Sequence, residues 1–209
     1  MKWRNTMFNL TNESDNQNQP LSTNHGGHEL FDVHEVLSST IGALNQCVLM
    51  RDQIQDKELL SILDRQYAFM LDEYNLIAES FKTGHDPSHR TRAYNMQTDN
   101  DFQYGITPSA PKKPIQSPTE INDNIIAGAL LGMHKVGATS KISAALETTN
   151  PVVRRVLQAS APNCVEMAYE ISVYMNKKGE YQVPQLSNSD MMAMLNMYGQ
   201  AEKAKNMPN

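Results

Sequence analysis

An all-α fold of four long helices follows from three observations on this sequence. The segments 30–84 and 119–179 each read as two long helices joined by a tight turn. Both close on a cation-bearing turn and a glycine, Phe81-Lys82-Thr83-Gly84 and Asn176-Lys177-Lys178-Gly179. Between them, residues 85–118 carry Pro87, Pro108, Pro111, Pro114 and Pro118 and few aliphatics. Two helical hairpins with a long connection describe a ferritin-like antiparallel four-helix bundle, because the crossover between helices two and three must travel the bundle's length to start helix three beside helix one. Four helices of about 25 residues, each roughly 37 Å long, use about half of the chain. The expected organisation is a disordered polar N-terminus over 1–24 and one bundle over 25–184. Within the bundle the first hairpin spans about 28–84, the crossover 85–118 and the second hairpin about 119–179. A short C-terminal helix and tail occupy 185–209.

Taken in order, residues 1–24 are rich in Asn, Gln and Ser, too polar to bury the apolar surface that would offset ordering them. Helix one presents Leu30, Val33, Leu37, Ile41, Leu44 and Val48 at spacings of three and four, which places them on one face. Helix two alternates more cleanly through Leu60, Leu63, Tyr67, Met70, Tyr74, Ile77 and Phe81, a heptad seam suited to antiparallel packing. Asp56 is its expected N-cap, and Gly84 its left-handed stop. Helix three is expected to open at Ser117-Pro118-Thr119-Glu120, a capping-box pattern with proline in the first turn. Its face reads Ile121, Ile125, Leu131, Ala138, Ile142 and Ala145, and Gly128, Gly132, Gly137, Ala138 and Ser140 are expected to let neighbours approach closely. Asn150-Pro151 marks the strongest boundary in the chain, a capping asparagine and a first-turn proline. Helix four follows through Val153, Val156, Cys164, Met167, Ile171 and Tyr174 to Gly179, with a kink or one-turn break expected near Pro162. The methionine-rich run Met191-Met192-Ala193-Met194-Leu195-Asn196-Met197 is expected to be a short amphipathic helix packed on the bundle, with an adaptable interaction face as the alternative.

The bulk numbers exclude several function classes. A net charge of −5 and no arginine- or lysine-rich run provide no field for a nucleic-acid backbone. The longest apolar stretch, 125–133, is far short of the ~20 residues that span a bilayer. Polar residues follow Met1-Lys2-Trp3-Arg4-Asn5 with no apolar signal core, so a cytosolic origin is expected. Cys47 and Cys164 fall on apolar helix faces, where free thiols behave as small hydrophobes.

A catalytic di-iron bundle requires a glutamate from each of two helices and Glu-x-x-His from the other two. Three residues after Glu58, Asp64, Asp72, Glu73 and Glu79 stand Ser61, Tyr67, Asn75, Leu76 and Lys82. After Glu166 and Glu170 stand Tyr169 and Val173. Helices two and four contain no histidine, so the ferroxidase pattern is missing and no cofactor is expected. The remaining weak metal candidates are His34, Glu35 and His134, with His25, His28 and His34 as a further candidate mononuclear group. His134 interrupts an apolar stripe and is expected to be a hydrogen-bonded core residue. His85 and His89 are expected to be solvated loop residues. There is no nucleophile elbow, phosphate-cradling glycine loop or CxxC pair, and no catalytic residue is expected.

Several strings occur together in a recognisable order. They are His25-Gly26-Gly27-His28-Glu29-Leu30-Phe31-Asp32-Val33-His34-Glu35-Val36-Leu37, Leu63-Asp64-Arg65-Gln66-Tyr67, Phe81-Lys82-Thr83-Gly84-His85-Asp86-Pro87-Ser88-His89, Tyr94-Asn95-Met96, Thr119-Glu120-Ile121-Asn122-Asp123 and Lys178-Gly179-Glu180-Tyr181. In this order the chain resembles the spore coat protein F family of endospore-forming Bacillus-type bacteria over about 25–199. The resemblance implies a ferritin-like helical protein of the spore coat, non-enzymatic, made in the mother-cell cytoplasm and then laid into the coat. Its implied partners are other coat proteins and a second copy of itself, with no nucleic acid and no membrane span. The alternatives are a metal-binding or redox protein on the same fold with an atypical site, and a soluble sporulation or stress protein without a coat role. The family often carries tryptophan after the final glycine. Glu180 stands there in this chain, so weaker aromatic docking of the C-terminal segment is expected.

Overall fold

The computed structural model describes residues 25–201. The polar segment 1–24, expected to be disordered, and the end of the tail, 202–209, lie outside the described residues. Those described are all-helical apart from turns and isolated bridges: α1 (Gly27–Arg51), α2 (Lys57–Thr83), α3 (Asp123–Glu147), α4 (Pro151–Lys177) and α5 (Asn188–Leu195), with a short 3-10 turn at Pro118–Glu120.

The helix ends follow from their capping residues. Asp56 accepts from the backbone N–H groups of Glu58 and Leu59 (2.8 and 3.4 Å), and Asn150 from those of Val152 and Val153 (2.9 and 3.2 Å). These bonds satisfy donors that the first turn leaves open. Gly84 closes α2 at φ 68°, in the left-handed region where a side chain would be strained. The third long helix starts later than expected. Ser117 caps only the 3-10 turn, and α3 begins at Asp123 under Asn122, whose side-chain Oδ1 accepts from the backbone N–H groups of Asn124 and Ile125. Ile121 at ψ 131° separates the two, so the capping-box residues serve a turn and not the helix. The expected break at Pro162 is also absent. α4 runs unbroken through it, since one missing N–H costs little against a helix buried on most of its length.

Contacts at the ends orient the helices. At one end Asp123 of α3 accepts from the backbone N–H groups of Gln55 and Asp56 (2.9 and 3.1 Å), and Lys178, just after α4, pairs with Asp56 at 2.6 Å. At the other end Glu29 of α1 accepts from Thr149 and Asn150, and the Asn150 side chain donates to the Gly84 carbonyl. The end of α1 and start of α2 therefore meet the start of α3 and end of α4. α1 packs on α2 and α3, and α4 packs on α2 and α3, each pair running antiparallel. The crossover is docked along α4: Gln103 exchanges bonds with the Asn176 side chain (2.6 and 2.9 Å), and Tyr94 is buried.

Two apolar clusters fill the interior. One joins Val33, Val36, Leu76, Ile77, Ala144, Val153 and Leu157. The other joins Leu44, Cys47, Leu59, Leu63, Met70, Ile126, Leu130, Cys164, Met167 and Ile171. Cys47 and Cys164 are free and buried. The stripe predicted for α4 is buried throughout, and the stripes predicted for the other helices are buried in part, Val33 and Leu44 in α1, Leu63, Met70 and Ile77 in α2 and Leu131 and Ala145 in α3. In α2 Leu59, Gln66, Glu73 and Ser80 face inward beside them, while Leu60, Tyr67, Tyr74 and Phe81 of the predicted seam are half-buried on the flank. In α1, Glu29, Val36 and Cys47 point inward while Leu30, Ile41 and Val48 are exposed. The longest apolar runs covered two adjoining stripes, and contacts between helices chose one of them. The small residues of α3 do less than expected. A methyl group at Gly128 or Gly132 would meet nothing, and at Gly137 it would rest against the Cys164 sulfur at 3.5 Å. α5 does not pack on the other helices as expected; it buries no residue. Aromatic docking beyond Gly179 falls to Tyr181, edge-on to Phe102 at 6.2 Å and below the Lys135 amine.

Candidate functional site

Three helices each place two polar residues on the inward face, seven residues apart. They are Gln66 and Glu73 in α2, His134 and Lys141 in α3, and Asn163 and Glu170 in α4, and all six are buried. Seven residues is two helical turns, so each pair stacks along one face. Because α4 runs opposite to α2, Gln66 meets Glu170 and Glu73 meets Asn163. Two polar layers result.

In the first layer Gln66 is the hub. Its carbonyl oxygen accepts from Nε2 of His134 at 2.8 Å, and its amide donates to Glu170 at 3.0 Å and to the Met167 carbonyl at 3.2 Å. Glu170 also accepts from Arg65 (2.7 Å), the Gln97 backbone (2.9 Å) and the Tyr94 hydroxyl. Burial pushes the Glu170 carboxyl up, but the donors from Tyr94, Gln97, Gln66 and Arg65 outweigh it, and its pKa lies below the ordinary value. Burial, followed by the Glu170 charge, pushes the Tyr94 phenol up. Burial pulls the His134 imidazole down to about 3, with the Lys141 charge adding to the effect and Glu170 opposing it. His134 is therefore a neutral, hydrogen-bonded core residue.

In the second layer Glu73 takes the Lys141 amine on Oε2 at 2.9 Å and the Asn163 amide on Oε1 at 2.6 Å. Asn163 also donates to the Arg92 carbonyl at 2.8 Å and accepts the Tyr94 backbone N–H on Oδ1 at 2.8 Å. Burial pulls the Lys141 amine down, but the neighbouring Cys164 and Glu73 outweigh it and hold it above the ordinary lysine value. Burial raises the Cys164 thiol, with Lys141 opposing, and raises Cys47 to about 11. Neither thiol has the electropositive, accessible setting that makes cysteine reactive. Tyr94 bonds both layers, through its backbone and its hydroxyl, and so fixes the crossover to the interior.

A third buried carboxylate, Glu29, sits at the helix ends. It accepts from Thr149 N–H (2.9 Å), Thr149 hydroxyl (2.7 Å), Asn150 N–H (3.0 Å) and His25 (2.6 Å). Burial would raise its pKa, and these donors lower it instead.

The metal candidates are not brought together. His34 and Glu35 are exposed on α1, whereas His134 is buried on α3. Among the described residues no group of three or more His, Cys, Asp and Glu side chains is placed to hold a metal ion. In the His25–His34 candidate group, His25 holds Glu29 while His28 and His34 face solvent. His89 is not merely solvated; it bonds Asp72 at 3.1 Å. Sequence reasoning missed the polar layers because Glu73 and Glu170 were weighed only for a histidine three residues on. The signal was the seven-residue polar repeat recurring on three helices.

The outer surface carries apolar side chains. Phe31 and Leu49 of α1 are 76% and 72% exposed, and Leu146 of α3 stands out beside them in kind. Met192, Met194 and Leu195 of α5 are exposed, as are Met197 and Tyr198 after it. Among the described residues no helix is long and apolar enough to cross a membrane.

The model of one family, described as the Coat F domain, matches residues 122–184, which include α3 and α4. The chain is also similar to a Bacillus subtilis (strain 168) protein named "Spore coat protein F-like protein YhcQ", at 51% identity over 177 residues, 85% of this chain and 82% of that protein. No solved structure matches.

Proposed function

The chain belongs to the Coat F family, and we propose that it is a non-enzymatic structural component of the bacterial endospore coat. In this reading it acts through protein–protein contacts of a ferritin-like four-helix bundle over 25–184, with 185–209 as an appended contact segment. The observation that carries the reading is the 51% identity, over most of both chains, to a protein named as spore coat protein F-like. The packing supports the bundle: four long helices, each on two antiparallel neighbours, with a long crossover between the second and third.

The polar layers support a structural use of the interior. Each carboxylate oxygen of Glu73 and Glu170 already accepts a protein donor, and the exposed apolar side chains lie outside, where a partner can reach them. The partners are other coat proteins and a second copy of this chain. The protein is made in the mother-cell cytoplasm and then incorporated into the coat, and it holds no metal or cofactor.

Immunoblotting of washed spores, fractionated by coat extraction, against vegetative-cell extract tests the reading. Strong enrichment in the coat fraction is expected. Abundance in growing cells with none in spores would overturn it.

A further inference from the structure

The second polar layer joins an amine, a carboxylate and a carboxamide in a dry interior. Lys141, Glu73 and Asn163 are 4%, 2% and 4% exposed. One carboxylate touches both nitrogens: Oε2 takes the amine at 2.9 Å and Oε1 the amide nitrogen at 2.6 Å. The carboxamide oxygen lies on the Tyr94 backbone N–H at 2.8 Å. This layer also separates the two apolar clusters. In α2 it falls between Met70 and Leu76, in α3 before Ala144, and in α4 between Leu157 and Cys164. Apolar packing thus closes it on both sides, and the crossover covers it through Arg92 and Tyr94.

Both nitrogens meet on the one Glu73 carboxylate, and amide exchange would give each group a role. The amine is the nucleophile and the carboxamide carbon the electrophile. The Tyr94 N–H is a fixed donor for the oxygen on which negative charge develops. Glu73 can take a proton from the amine and deliver it to the nitrogen that leaves. Holding reactants on one rigid carboxylate removes the entropic cost of bringing them together, and exclusion of water removes the competing hydrolysis.

We infer that Lys141 and Asn163 are the sites of an internal isopeptide cross-link between α3 and α4, formed with Glu73 as proton carrier. The Lys141 amine first passes a proton to Glu73 Oε2. Its freed lone pair attacks Cγ of Asn163, and the carbonyl electron pair moves to Oδ1 against the Tyr94 N–H. Collapse re-forms the carbonyl and breaks the Cγ–Nδ2 bond. The amide nitrogen departs as ammonium, carrying its own two hydrogens and two from the lysine, and one lysine hydrogen remains on the new amide. Glu73 ends as the carboxylate it began as. No oxidant or cofactor enters the balance. The cross-link does not depend on the coat role, since it needs only the folded chain.

The test is the intact mass of the full-length purified protein, followed by a tryptic map. The expected mass is lower than the sequence mass by one ammonia, about 17 Da. The loss should map to a linked pair of peptides, Val136–Arg154 with cleavage blocked after Lys141, joined to Val156–Lys177. A full sequence mass, or a loss mapping elsewhere, would overturn the inference. Glu73→Gln keeps the shape of the side chain but cannot carry the proton, and it is expected to restore the full mass. Loss of ammonia at this pair in a helical Glu73→Gln protein would remove Glu73 from the chemistry and overturn the mechanism. The wild-type map decides the cross-link even where that variant fails to fold.

Discussion

The interior around Glu73 and Glu170 and the C-terminal helix α5 distribute polarity in opposite senses. The interior layers are polar where a helical protein is ordinarily apolar, and each of their charges has a partner. α5 is apolar on a surface where solvent is the neighbour, and it buries nothing. The difference teaches what each region is for in physical terms. A buried polar group costs free energy unless it is bonded, and apart from Nε of Arg65 the network's buried groups find partners, so it specifies one arrangement of α2, α3, α4 and the crossover. An exposed run of methionine and leucine specifies no arrangement within the chain and stays available to a second surface.

The largest expected effect comes from breaking the interior pair. Lys141→Met removes the group bonded to Glu73, as amine or as cross-link, and leaves that carboxylate buried without it, which costs on the order of 3–5 kcal/mol, read as a lower midpoint in urea unfolding. A loss below about 1 kcal/mol would mean the pair behaves as a surface pair, and the contrast with α5 would fail.

The next effect is a pH dependence of stability. His134 is pulled down to about 3 from an ordinary 6.5. The unfolded chain therefore takes up a proton below 6.5 that the folded chain refuses. Stability falls as pH drops from 6.5 toward 3, by about 1.4 kcal/mol per pH unit. Glu29 and Glu170, held below 4.5, add to this loss in the acid range, since unfolded carboxylates take up protons first. His134→Gln should flatten the slope between pH 6.5 and 4.5 in urea titrations. An unchanged slope would show that water or a counter-charge reaches the ring.

The smallest effect on stability is expected at the other region. Deleting 186–209 should leave helicity intact and move the unfolding free energy by less than about 0.5 kcal/mol. Assembly with itself or with coat extract, followed by sedimentation, should fall. Unchanged assembly would discard α5 as a contact segment, and a large loss of stability would show that it packs on its own chain.

Much of the fold was legible in the sequence because its signals are local. Asp56, Gly84 and Asn150-Pro151 mark helix ends by bonding backbone groups within four residues, and the structure places caps or stops at each. The proline-rich segment 85–118 contains no α-helix, as its composition requires. The site was less legible. His134 was read correctly as a bonded core residue, but Gln66, Glu73, Asn163 and Glu170 have no local signature. Each is an ordinary polar residue until another helix supplies its partner.

The sequence by itself determined most helix ends, the start of α3 excepted, that the described chain is all-helical, and to which family it belongs. The inward stripe of α4 was also legible; only the tertiary structure decided how far α1 and α2 turn from their predicted stripes. A period of 3.6 residues leaves neighbouring stripes at similar spacing, and the inward face of α2 includes Gln66, Glu73 and Ser80, which no apolar pattern marks. The choice falls to interactions between helices: Glu29 with Thr149 and Asn150, Glu73 with Lys141 and Asn163, Glu170 with Gln66, Arg65 and Tyr94. These partners lie 68 or more positions apart in every case, because satisfying a buried charge takes groups that only the folded chain brings together.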